Sequence, residues 1–134
     1  MKVLKIDTKG NLEVLELKEG EGFISGASRL LGTTDLDVRM ITPPTGLIDR
    51  NLELYSIDRA YDLNLDDNLI ATVIYGTGHI IKGDIVLTDL TNGGDGYYSC
   101  SIRKDTVDRI KWYKLELEKE LTKDGQTFST YKFD

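Results

Sequence analysis

The chain has 134 residues, 40% hydrophobic and 30% charged, with a formal net charge of −6. That length fits one domain, and the apolar content is enough to bury a core, which excludes wholesale disorder. One cysteine and one histidine exclude an intrachain disulfide framework and any catalytic or metal site that needs two imidazoles.

Val3, Leu4 and Ile6 precede Lys9-Gly10-Asn11, and Leu12, Val14, Leu15 and Leu17 follow it. Two short apolar segments around a Gly-Asn turn predict a β-hairpin. Phe23, Ala27, Leu30 and Leu31 recur at helical spacing, and Gly32 supplies the stop. Gly26 lies inside that helix and weakens it by about 1 kcal/mol relative to Ala. Leu36, Val38 and Met40 alternate as a strand that ends at Pro43-Pro44, and Leu52 to Ile57 alternate as another.

Asp66-Asp67-Asn68 offers N-caps for a short helix carrying Leu69, Ile70, Val73 and Ile74, which is favoured although Val73, Ile74 and Tyr75 also suit a strand. Ile80 to Leu87 predicts a strand, with a bulge or bend at Gly83-Asp84. Asn92-Gly93-Gly94-Asp95-Gly96 has the composition of a turn. Asp105 to Leu121 carries Val107, Ile110, Leu117 and Leu121 at helical spacing, while Tyr113, Leu115 and Leu117 alternate with Lys and Glu as a strand would; a helix is the favoured of the two. Asp124-Gly125 before Phe128, Tyr131 and Phe133 predicts a terminal strand. The sum is an α+β fold: a small, mostly antiparallel sheet with two or three short helices, in a single domain spanning residues 1–134.

No motif for catalysis is present. Gly76-Thr77-Gly78 opens like a dinucleotide loop but has Ile81 where the third glycine belongs. Asp62 to Asp66 opens like a calcium loop, yet Asp67 replaces its turn glycine and Val73 its bidentate glutamate. No catalytic residue, metal ligand or cofactor is therefore assigned. Between Tyr61 and Ser99 six acids face one base, Lys82, which predicts a solubilising surface or one that attracts a basic partner. With no run of Lys and Arg, direct nucleic-acid binding is disfavoured. Tyr97, Tyr98, Trp112 and Tyr113 are read mostly as core and rim. The opening residues lack the apolar stretch of a signal peptide, and no apolar run reaches the roughly 20 residues that span a bilayer. A cytoplasmic protein without membrane contact is expected.

Asn68-Leu69-Ile70-Ala71-Thr72-Val73-Ile74-Tyr75-Gly76, followed by Gly83-Asp84 flanked by β-branched residues, resembles a family of small proteins of unknown function carried by phages, plasmids and integrated elements. That family shows a similar Asn-x-x-Ala-Thr-x-x-Tyr-Gly segment. The opening from Met1 to Leu17 is similar to the family's first strands, and the tail after Thr122 has no counterpart. The resemblance implies no activity. It implies a setting: an accessory gene of a phage or mobile element, expressed in a bacterial host cell.

The first functional expectation is non-catalytic binding of a host protein, with counter-defence as one purpose. The alternative is a small-molecule or signalling-nucleotide binder, and an enzyme ranks third. Helical spacing places Asn68, Thr72 and Tyr75 on one face near His79, which makes these four the candidate recognition site. The structural alternative for Asn68 and Thr72 is that they cap and decorate the helix. An anion would fall to Arg103, Lys104 or Arg109 at a subunit boundary. Edge strands leave a homo-oligomer open.

Overall fold

A computed structural model describes residues 1–44 and 46–122 of the chain. The hairpin forms as the sequence predicts, from β1 (Lys2–Ile6) and β2 (Leu12–Glu16), with Leu4 opposite Val14. Its turn is closed by Asp7, whose carboxylate accepts from the amides of Lys9 and Asn11 and from the Asn11 side chain, each at 2.9 Å. Next come α1 (Phe23–Leu31), β3 (Leu36–Ile41), β4 (Leu52–Ile57), α2 (Leu69–Tyr75), β5 (Ile85–Asn92), β6 (Tyr97–Cys100) and α3 (Lys104–Thr122).

All six strands join one antiparallel sheet in the order β2-β1-β5-β4-β3, with β6 also paired to β5. Asp89 of β5 faces Leu52 of β4 and Cys100 of β6. β6 therefore lies on the β1 side and continues that row, and the Ile102 amide donates to the Lys2 carbonyl at 2.8 Å. β2, β3 and β6 each pair on one side only, so each presents an outer edge among the described residues. The α+β fold with a mostly antiparallel sheet is thus the observed one.

Period-two alternation gives the sheet two apolar faces. Leu4, Ile6, Leu52, Leu54, Ile85 and Leu87 meet Ile70, Ala71 and Ile74 of α2 and Val107 and Ile110 of α3. Val3, Tyr55 and Val86 meet Leu17 and, from α1, Phe23, Ala27, Leu30 and Leu31. Helices therefore cover both faces, with α1 alone on the second. Gly26 is what brings α1 close, because a Cβ there would collide with Cδ2 of the buried Leu17. Its cost in helix propensity is exchanged for a closer approach.

One predicted strand boundary is corrected. The run from Ile80 to Leu87 is not one bulged strand, because β5 starts at Ile85. Gly83 adopts φ +82, and its amide donates to the Asp66 carbonyl at 2.8 Å. Asp67 and Lys82 form an isolated bridge, so residues 81–83 are stapled to the segment before α2 rather than to the sheet. Extended pairing cannot continue through that left-handed position. The aromatic set is corrected too: Tyr97, Tyr98 and Trp112 are exposed, and only Tyr113 packs against the core. The predicted terminal strand at Phe128 to Phe133 lies outside the described residues. No helix among the described residues is long and apolar enough to cross a membrane.

Candidate functional site

Six of the predicted site residues separate into three places. Asn68 is 1% exposed, and its side chain is fully engaged. Oδ1 accepts from the Ala71 amide at 3.1 Å, and Nδ2 donates to the carbonyls of Ile6 and Gly83 at 3.0 Å each. The Thr72 hydroxyl donates to the Asn68 carbonyl at 2.8 Å and accepts from the Ile81 amide at 2.9 Å. These two side chains tie α2, β1 and residues 81–83 together.

Tyr75 and His79 meet at a different place, a cleft of about 210 Å³ on the face of β3 and β4 that carries α2. Leu54 and Ser56 of β4 line it, Asp37 and Arg39 of β3 form one wall, and Tyr75 closes it as the last residue of α2. Gly76, at φ +77, turns the chain there and sends His79 back over the opening. The His79 ring stands 5.9 Å from the Tyr61 ring and 6.4 Å from that of Tyr75, both tilted. The Tyr61 hydroxyl donates to the Ile80 carbonyl, and the Lys82 ammonium sits 5.6 Å from the Tyr61 ring centre.

Both cations of this cleft are neutralised within the chain. Arg39 donates to the Tyr75 hydroxyl at 2.8 Å and to the Asp37 carboxylate at 2.7 Å, and these contacts raise its pKa. Lys82 donates to Asp67 at 2.7 Å, which raises its pKa as well. Arg39, Tyr61 and Lys82 were not among the candidates drawn from the sequence. The one local signal for them is the Asp37-x-Arg39 alternation, which puts opposite charges side by side on one face of a strand.

Arg103 and Arg109 lie on the far side of the sheet face, at and within α3. Arg109 donates to the carbonyls of Leu47 and Gly46 at 3.1 and 2.9 Å and stacks 5.9 Å from the Trp112 ring centre. Arg103 lines a wider cleft of about 510 Å³ together with Arg50, Asn51, Asn92 and Tyr97, and its guanidinium has no hydrogen-bond partner among the described residues. Arg50 is committed elsewhere, to Asp105 at 2.7 Å and to the Thr106 hydroxyl at 3.1 Å. Beneath it the fully buried Asp89 accepts from the Arg103 amide at 2.7 Å and from the Thr106 hydroxyl at 3.2 Å, which caps α3.

A fourth polar cluster faces the opposite side. Glu53 accepts from the Tyr55 hydroxyl at 2.6 Å and from the Ser99 hydroxyl at 2.9 Å. Burial, then the Glu53 contact, pushes the Tyr55 hydroxyl pKa up. With its hydroxyl committed to a carboxylate shared with Tyr55, Ser99 has no imidazole or amine base beside it. Among the described residues, no group of three His, Cys, Asp or Glu side chains gathers as a metal site.

No family model matches the chain. No curated protein matches it either. Among solved structures it is similar to one titled "Crystal structure of small RNA methyltransferase HEN1", at 19% identity and a TM-score of 0.53. The likeness covers 82% of this chain and 16% of that one, so the chain spans about a sixth of that protein's length and the likeness is one of fold.

Proposed function

We propose that this chain is a phage or mobile-element accessory protein that acts by binding a host protein, with the cleft between Tyr61, Tyr75 and His79 as its anchor pocket. The observation that carries the binding part is the character of that cleft. Its volume of about 210 Å³ falls below the roughly 300–1,000 Å³ of small-molecule sites and suits an inserted side chain. Three aromatic side chains, Tyr61, Tyr75 and His79, surround its opening, and its two cations are held by the chain's own carboxylates. Exposed aromatic side chains around a pocket that a partner's side chain can desolvate are the chemistry of interface anchors. The setting in a mobile element rests on the sequence resemblance.

The test is capture from bacterial lysate on the immobilised chain, then titration of the purified captured protein. Tyr75→Ala and Tyr61→Ala are each expected to weaken binding by about 2 kcal/mol or more, with Tyr98→Ala neutral as a control. A captured protein that binds all variants alike would remove the cleft from the reading.

A second reading is favoured by Arg103: a guanidinium without a hydrogen-bond partner among the described residues, lining a wider cleft beside Tyr97, suits a nucleotide's phosphate and base. Mass spectrometry of the supernatant from denatured protein separates the two readings. A stoichiometric nucleotide, lost in Arg103→Ala, favours the second.

A further inference from the structure

β3 is one of three strands that pair on one side only, with β2 and β6, and its free edge is unusual among them. Edge strands are commonly blocked by charges, proline or bulges. β2 carries Glu13 and Glu16 and no base, so no register of β2 against itself sets an acid opposite a base. β6 is only four residues long, itself a block to edge pairing, and has no charge to select a register. β3 reads Leu36-Asp37-Val38-Arg39-Met40-Ile41 and has no proline. It pairs residue for residue with β4 from Leu36 opposite Ile57 to Ile41 opposite Leu52, so it has no bulge. Val38 is 39% and Met40 55% exposed on the face that carries α1, and the Arg39 side chain is 53% exposed on the other.

We propose that β3 pairs antiparallel with the β3 of a second copy of this chain, around a two-fold axis at Val38. In an antiparallel pair, directly opposite residues share a face, so the axis must pass through a residue position. Centring on Asp37 sets Asp37 against Asp37 of the partner subunit, and centring on Arg39 sets two arginines together. Centring on Val38 sets Asp37 opposite Arg39 of the partner subunit and Arg39 opposite Asp37 of the partner subunit. It also sets Val38 on Val38 of the partner subunit and Met40 on Leu36 of the partner subunit. Charge complementarity thus selects one register, and the exposed apolar pair is covered by its own kind. The isologous contact closes, as two-fold contacts do.

Asp37 and Arg39 also wall the aromatic cleft. Each cleft therefore gains Arg39 of the partner subunit at its rim, and the two clefts open on one side of a continuous sheet. This holds whatever the cleft binds.

The experiment is sedimentation equilibrium of the full chain across a dilution series. The wild type is expected to be dimeric at the concentrated end. Asp37→Arg and Arg39→Asp each place like charges opposite one another, and each is expected to raise the dissociation constant about tenfold or more. Mixing the two variants restores Asp–Arg pairs across the seam, so the mixture is expected to dimerise as the wild type does. Val38→Lys, which leaves the Asp37–Arg39 pair intact, is expected to be monomeric. A wild type that is monomeric throughout, a dimer untouched by these substitutions, or two monomeric variants that fail to combine would each overturn the proposal.

Discussion

Asn68 shows how much one buried side chain can hold. Its amide caps α2 and donates to carbonyls from β1 and from Gly83, so three segments distant in sequence share one group. Asn68→Ala is expected to destabilise the fold by about 2–4 kcal/mol, from a lost cap and two buried carbonyls left unpaired. Asn68→Asp is the sharper test. Aspartate caps helices as well as asparagine does, but here it has no donors for Ile6 and Gly83 and sets a carboxylate against their oxygens. A denaturant midpoint for Asn68→Asp within about 0.5 kcal/mol of wild type would show that the two amide donors contribute nothing.

At the scale of elements, local signals were legible and assembled ones were not. The hairpin turn, the stop at Gly32 and the Asn68 cap each lie within a few residues of what they control, and the sequence placed all three. The start of β5 escaped because Gly83 is positioned by Asp66, in another segment. The cleft escaped because Asp37, Tyr61, Tyr75 and Lys82 come together only once β3, β4 and α2 have packed. Gly26 was legible as a weak helix residue but not as a contact surface. Gly26→Ala gains about 1 kcal/mol in helix propensity and loses about 1–3 kcal/mol to the collision with Leu17. Net destabilisation is expected. In a Leu17→Ala background the collision is gone, and the same substitution is expected to stabilise by about 1 kcal/mol. A double-mutant cycle of unfolding free energies reads the change of sign.

For the whole molecule, acid is the informative perturbation. Two hydrogen bonds from Arg29 and one from the Lys18 amide hold the Glu21 carboxyl well below its ordinary 4.5, at about 2. Arg50 lowers Asp105, and at Asp7 the bonds from Asn11 and Lys9 outweigh the upward push of partial burial. A carboxyl whose pKa is lowered by folding contributes stability that is complete above its unfolded value and is lost as pH falls through its folded one. Thermal unfolding midpoints are therefore expected to fall between about pH 5 and about pH 2. Glu21→Gln should flatten that limb, and a slope equal to wild type would mean that the Arg29 clasp on α1 adds nothing.

The strand order has a kinetic corollary. β1, the first strand in the chain, finds its inner neighbour only at β5, where Leu4 faces Leu87. Until that partner exists, the opening hairpin has α1 alone to lean on, through Val3 and Leu17, and Leu4 and Ile6 on its other face stay wet. Closing so long a loop before any contact rewards it slows folding. The chain's beginning is thus expected to be among the last parts of the sheet to become secure.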